Sequence, residues 1–465
     1  MQASLRKKYF GDRAFYRMVL AVAVPIMLQN GITQLVGMLD NIMVGRVGTE
    51  QMTGVSISNT LLFVFNLAIF GAVSGAGIFG AQFFGSGNQE GVRHAFRFKL
   101  IIVSILCAAG LTIYLTLDET LIRLYLRGEG NPEEIEASLG YAKEYLHILL
   151  FSLIPFALAQ CYSGTLRECG QTVVPMVAGI VSVLVNLCFN ALLIFGYLGF
   201  PKLGSAGAAV ATVIARFVEL GFVSVWTHRH KDVCPFIVGA YRSLHVPGKL
   251  AWEITRKTLP LLFNETLWAA GMALLSQCFS MHGYDVVSAN NISNTISNVF
   301  NVSFIAMGNA IGIIVGQLLG ANKLEEAVDT DRKLIVFSLM ISLVTGGMLA
   351  CVAPFFPKIY NTTGEIRALA TTFTLIVALC MPINSFANAT YFTLRSGGKT
   401  LITFFFDSFF VCVFTVPLAL LLTYATDISI VPLFLITQLV DIFKCVIGGV
   451  MIKKGIWIHN IVEEH

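Results

Sequence analysis

Charge is scarce in this 465-residue chain: only 12% of its residues are Asp, Glu, Lys or Arg, about half the share of an average soluble domain. With 56% hydrophobic residues and a mean hydropathy of +0.75, the chain has too little polar surface to stay dispersed in water. Soluble multidomain enzymes, disordered chains and collagen-like repeats are thereby excluded. The net charge is small as well, +4, which excludes the broad basic face of a nucleic-acid binder. The ten cysteines form no CxxC pair and no metal spacing. Most of them sit in apolar runs, where a thiol packs as a small apolar group. The basic start, MQASLRKKYFGDRAFYRMV, has no short apolar core with a small-residue cleavage site behind it, so it is expected to be a retained cytoplasmic tail.

What the chain does have is apolar runs, and about 20 such residues suffice to cross a bilayer as a helix. Breaks rich in charge, Pro, Gly and Asn predict twelve spans, near 15–43, 53–84, 96–117, 139–163, 173–196, 206–227, 255–282, 288–319, 332–356, 367–393, 401–424 and 430–452. Lys and Arg orient them. With the N-terminus inside, only Arg46, Arg123, Arg127, Lys143, Lys202, Lys358 and Arg367 fall outside, and Arg216 and Lys444 lie within spans. The remaining basic residues, Arg6, Lys7 and Lys8 among them, fall inside, which predicts cytoplasmic termini.

Residues 25–97 lie over 260–332 at a constant offset: Pro25 falls on Pro260, Gln82 on Gln317, Gly85 on Gly320, and Ile57-Ser58-Asn59-Thr60 on Ile292-Ser293-Asn294-Thr295. Further on, Thr165-Leu166-Arg167 echoes Thr393-Leu394-Arg395. An even number of spans per repeat gives two lobes of the same orientation, with a substrate site expected between them. The expected fold is all-α integral membrane, with twelve transmembrane helices in two six-helix pseudo-symmetric lobes. Residues 1–227 form the N-lobe, 228–254 a cytoplasmic linker and 255–465 the C-lobe.

Three apparent motifs carry nothing. Gly75-Ala-Gly77-Ile-Phe-Gly80 fits GxGxxG but lies inside a span with no preceding strand, so helix packing explains it. Gly398-Lys399-Thr400 resembles a phosphate-binding loop whose first glycine position is Thr393. His228 and His230 flank Arg229 in a basic loop and read as a solvated face. With no nucleophile-and-base arrangement in the chain, an enzyme is not expected.

An ionisable group at mid-membrane costs at least about 2.5–3.5 kcal/mol. Asp40, Glu265, Asp407 and Asp441 bear such a cost. Asp441 has Lys444 three residues on, as Arg216 has Glu219. The other three acids have no basic residue within a helical turn and are expected to face a watery cavity or to hold a proton or cation. Asn291, Asn294, Asn298 and Asn301 recur along one face of span eight, as do Asn59 and Asn66 in span two, Asn186 and Asn190 in span five, and Asn384 and Asn388 in span ten. Such stripes are expected to line a cavity.

Taken in order along twelve spans, these pieces resemble the multidrug and toxic compound extrusion (MATE) transporters over essentially the whole chain. The pieces are Asp40-Asn-Ile-Met-Val-Gly45-Arg-Val-Gly48, Gly80-Ala-Gln82-Phe-Phe-Gly85, its counterpart Gly316-Gln317-Leu-Leu-Gly320, Gly207-Ala-Ala-Val-Ala-Thr212 and Leu394-Arg395. The resemblance implies a two-lobed fold and export of bulky, amphipathic, often cationic compounds by alternating access, driven by inward protons or sodium. It implies an ion-coupling set of Asp40, Asn186, Asn190 and Thr212, with Asn190 standing where the family carries a second acid, and a possible Na+ at Asp40. Glu265 matches a C-lobe acid of the norfloxacin-exporting branch, and that branch's span ten acid falls at Asn384. The expected substrate-cavity set is Glu265, Asn59, Asn66, Asn294, Asn298, Asn301, Asn384 and Asp407. The expected partners are organic cations or drugs and the lipid bilayer of the plasma (inner) membrane. No nucleic acid and no cofactor besides the coupling ion are expected, and the protein is expected to act as a monomer. The rival within the same superfamily is a flippase of lipid-linked precursors, whose anionic pyrophosphate calls for cationic cavity residues.

Overall fold

The structure, a computed structural model, describes residues 8–126, 132–426 and 428–463. Arg6, Lys7 and Arg127, counted above for orientation, lie outside the described residues. Twelve helices are long and apolar enough to cross a membrane, and no strand occurs among the described residues. Spans one to six are Arg13–Gly45, Thr49–Gly85, Gln89–Thr116, Pro132–Glu168, Val173–Phe195 and Ser205–Arg229. Spans seven to twelve are Gly248–Ser280, Tyr284–Gly320, Leu324–Val352, Gly364–Ser396, Thr400–Ala425 and Ile430–Lys453. This is a multi-pass membrane protein.

Spans two, four and eight each run 37 residues, about 55 Å at 1.5 Å per residue, against roughly 30 Å of hydrocarbon. These helices therefore tilt or reach past the bilayer. Prolines interrupt the ladders at the repeat-related Pro25 in span one and Pro260 in span seven, and at Pro155 in span four and Pro382 in span ten, one residue apart in the repeat alignment. Each lacks the N–H for its i−4 carbonyl and loosens the helix there. Span eleven departs furthest from ideality, with two π-turns, Phe405–Phe409 and Val411–Thr415. Pro417 follows directly and cannot donate to Val413, while Asn264 Oδ1 accepts the Ser408 backbone N–H at 3.3 Å. A side chain inserted into the ladder beside a proline is a physical cause for the wider turns.

Contacts divide the chain into two compact units: residues 1–27, 81–88 and 255–465 form the first, and 28–80 and 89–254 the second. The first unit has a core of Phe279, Phe373, Met381, Leu433 and Phe434, with Phe373 stacked on Phe434 at 4.3 Å. Within the same unit, the ends of spans two and eight cross backbone to backbone. A Cβ on Gly85 would fall on the carbonyl oxygen of Gln317, and one on Gly320 on that of Gln82. The repeat thus closes on itself reciprocally, and only glycine permits the approach.

The second unit buries an ion pair. Lys99, fully buried, donates to Glu168 at 2.6 and 2.7 Å and to Thr165 Oγ1 at 2.9 Å. Gly77 and Gly80 make room for that carboxylate, since a Cβ on either would meet it. The glycines of the apparent nucleotide motif therefore accommodate a buried charge. Residues 228–254 belong to this unit and are pinned by Arg97, which donates to the carbonyls of Gly239, Ala240 and His245 at 2.8, 2.9 and 3.2 Å. A short amphipathic helix, Asp118–Tyr125, which the apolar pattern did not predict, links spans three and four.

Candidate functional site

Each unit holds a cluster of polar groups around an intramembrane acid. In the second unit, Asp40 sits near the end of span one, and the Asn186–Asn190 pair of span five faces it because residues four apart share a helix face. Asn190 Nδ2 donates to Asp40 Oδ1 at 2.7 Å and to Asn186 Oδ1 at 3.1 Å. Asn186 Nδ2 donates to Thr212 Oγ1 at 3.2 Å, and that hydroxyl donates to the Ala208 carbonyl at 3.0 Å. With the Asn186 amide turned over, its nitrogen donates to Asp40 Oδ2 at 2.9 Å and its oxygen accepts from Thr212 at 3.2 Å. The four residues expected to act together thus form one network around a single carboxylate. Tyr145, buried on span four, borders both Asp40 and Asn59; nothing in its sequence context signals this.

In the first unit, Asn264 of span seven is the hub. Its Nδ2 donates to Asp407 Oδ2 at 3.1 Å and to Tyr391 Oη at 3.5 Å. Ser408 Oγ donates to its carbonyl at 2.6 Å and to its Oδ1 at 2.7 Å. Lys444 lies between two acids, 3.4 Å from Asp407 and 3.5 Å from Asp441, and stands 5.5 Å from the Phe410 ring. Glu265 has Arg395 as its opposing charge, with Tyr391 and Asn264 beside it. Arg395 also lies over the rings of Tyr391 and Phe392.

These contacts correct one expectation. Of the three acids lacking a basic residue within a helical turn, Asp407 and Glu265 find cations on other helices, Lys444 and Arg395. Among the described residues, Asp40 has no salt-bridge partner within 4 Å, and its hydrogen-bonding neighbours are amides. The Arg216–Glu219 pair forms as expected, at 2.9 Å. Asn384 is half-buried seven residues before Tyr391, and Asn59, Asn294 and Asn298 are exposed while Asn66 and Asn301 are half-buried.

The repeat could have signalled two of the missed residues. Gln29 and Asn264 occupy equivalent places, as do Arg167 and Arg395; in the second unit Arg167 donates to Gln29 Oε1 at 2.7 Å. Asp331 went unnoticed as well. It is 1% exposed and accepts from Thr393 Oγ1 at 2.6 Å, where the equivalent Thr165 receives Lys99. A charged word in a sequence does not reveal which end of a helix is covered.

The MatE family model matches residues 25–192 and 260–421, two stretches beginning at the repeat-related prolines. The chain belongs to the MatE family. "Probable multidrug resistance protein NorM" of Thermotoga maritima is 26% identical over 409 residues, covering 86% of this chain and 85% of its own length. "Probable multidrug resistance protein YoeA" of Bacillus subtilis is 26% identical over 428 residues, covering 89% and 88%. Among solved structures, a multidrug resistance MATE family transporter of the MOP superfamily superposes with a TM-score of 0.84 at 18% identity, covering 96% of this chain and 97% of the other. A MATE crystallised with MaL6 gives the same TM-score and identity over 97% of each chain. Members of this family are transporters, and this MATE chain shares their fold.

Proposed function

We propose that this MATE transporter is a cation-coupled antiporter that exports bulky, amphipathic, often cationic organic compounds by alternating access. The multidrug names of its relatives support the substrate class. The observation that carries the coupling role is Asp40, an intramembrane carboxylate whose hydrogen-bonding neighbours are neutral amides.

One carboxylate with neutral oxygens around it suits one proton or one monovalent cation. The two orientations of Asn186 suit its two charge states. With Asp40 protonated, its O–H donates to Asn186 Oδ1, whose nitrogen donates to Thr212. With Asp40 ionised, the amide turns, donates to the carboxylate and accepts from Thr212. A charge change on span one is thereby passed to span six through one rotating amide. An ion bound more tightly in one carrier state than in the other shifts their balance by that difference. Sodium is accommodated by the same oxygens, Asp40, Asn186, Asn190 and Thr212.

Glu265, Asp407 and the Asn residues of spans two, eight and ten are proposed to contact substrate. The lobes are proposed to be 1–227 and 255–465, joined by 228–254 and acting as a monomer in the plasma membrane, with no cofactor beyond the coupling ion. The Lys and Arg asymmetry supports cytoplasmic termini. The flippase reading has less support, because the span cations Arg216, Lys444 and Lys99 are paired with acids and Arg395 faces Glu265.

The test is reconstitution in proteoliposomes with proton and sodium gradients imposed separately, following a fluorescent lipophilic cation. Uphill movement under either gradient is the expected result. Inertness under both, with a lipid-linked pyrophosphate crossing instead, overturns the exporter reading.

A further inference from the structure

Span twelve ends at Lys453, and the chain then turns at Gly455, φ 67°, and continues without a regular helix to residue 462. This tail is not loose. Trp457 is 1% exposed, and its carbonyl lies so close over Gly397 that a Cβ there would fall on it. Ile461 packs on Gly398, and Asn460 Nδ2 donates to the Gly320 carbonyl at 3.5 Å. The tail therefore lies across the ends of spans eight and ten.

The side chain that fastens it comes from span two. Gln82 is fully buried. Its Nε2 donates to the Ser396 carbonyl at 2.8 Å and to the His459 carbonyl at 3.3 Å. Its Oε1 accepts the Ile461 backbone N–H at 2.9 Å. One amide thus ties span two to the end of span ten and to the tail. It does so three residues before Gly85, at the glycine crossing with span eight. Span two, like span one, is divided between the two units: its residues up to 80 count with the second and 81–88 with the first.

We propose that residues 455–462 are a releasable strap, which holds the crossing of spans two and eight while Gln82 is seated and lets go when that crossing opens during transport. Two observations favour release over permanent anchoring. The fastening is neutral, whereas the 228–254 segment is held by the charged guanidinium of Arg97 in three bonds, and charge-assisted bonds are roughly twice as strong. The Trp457 indole N–H, buried with its ring, finds no acceptor among the described residues, so the seated tail leaves one polar group unmet.

Hydrogen exchange of the purified transporter in lipid nanodiscs tests the fastening. Gln82→Leu removes every bond of the amide, and exchange across 455–462 should speed up, by up to about tenfold for each hydrogen bond lost. Ile461→Pro, which deletes only the tail donor, should speed exchange of the neighbouring tail amides and serves if Gln82→Leu does not fold. Unchanged tail exchange in the folded variants would sink the proposal. Release is tested by placing a benzophenone amino acid at the exposed His459 and photo-crosslinking the tail in place. Gradient-driven transport should fall in proportion to the crosslinked fraction, and full transport by crosslinked protein overturns the strap. The transport arm rests on the exporter reading; the exchange arm needs no substrate, so an inert wild type would sink that reading and leave the fastening decided.

Discussion

The amide nitrogen of Asn190 lies 2.7 Å from the carboxylate of Asp40, across 150 residues of chain. Asn190 stands where the resemblance implies a second acid, so the site carries one carboxyl group and a donor beside it. A proton or a single monovalent cation is the proposed counter-charge.

Asp40→Asn should fold and insert, because the amide is nearly isosteric and removes a buried charge. It should still bind substrate yet lose coupling. One charge moved through about 100 mV contributes about 2.3 kcal/mol, so losing it lowers the attainable substrate ratio roughly fifty-fold at that potential. Steady-state accumulation in proteoliposomes, wild type against variant, measures this. Wild-type accumulation by the variant would place coupling elsewhere, with Glu265 the next residue to replace.

The Lys99–Glu168 pair is buried, and its partners are unequal to separation. Lys99→Met leaves Glu168 uncompensated beside Gly77 and Gly80 and should cost about 3–5 kcal/mol of stability. Lys99→Met with Glu168→Gln should recover most of that loss, since no charge remains to strand. Thermal unfolding in detergent compares the two. A double variant as unstable as the single one would mean that packing around the lysine stem, not charge, is what matters.

At the reciprocal crossing, Gly85→Ala and Gly320→Ala should each force the helices apart, because the added methyl coincides with a backbone oxygen that cannot move alone. Gly347→Ala is the control: its Cβ would meet nothing within 4 Å, and losing a helix-interior glycine should gain up to about 1 kcal/mol. Melting temperatures that do not rank in this order would refute the close approach.

A pH effect is expected at the Asp118–Tyr125 helix. Burial works to raise the Asp118 carboxyl, but the Glu119 backbone N–H, His147 and Lys143 outweigh it and hold the group below the usual carboxylate range. The contacts are 2.7 Å to the Glu119 N–H and 2.8 Å to His147 Nε2. A depressed value means the contribution is present at neutral pH and fades as pH falls below about 4. Relative to the intrinsic amide rate at each pH, hydrogen exchange of 118–125 should therefore accelerate in acid, and Asp118→Asn should remove the dependence. Acceleration that persists in the variant would trace it to other groups.

The sequence by itself determined the membrane class, the twelve spans and the repeat, because each rests on something linear, whereas the grouping of Asp40 with Asn186, Asn190 and Thr212 came from the resemblance to the MATE transporters. Apolar length decides whether a segment crosses. A fixed offset reveals duplication. Spacing of three or four reveals a shared helix face, which is why Asn186 with Asn190 and Arg216 with Glu219 were legible. What only the tertiary structure decided is which charges meet across helices. Lys444, which in the sequence pairs with Asp441, also reaches Asp407; Glu265 finds Arg395; Lys99 finds Glu168 in the space that Gly77 and Gly80 leave. The π-turns of span eleven and the seat of the tail on Gln82 belong to the same class. Pairing between helices depends on their packing angle and depth, and these come from the sum of many apolar contacts, which no local pattern of residues encodes.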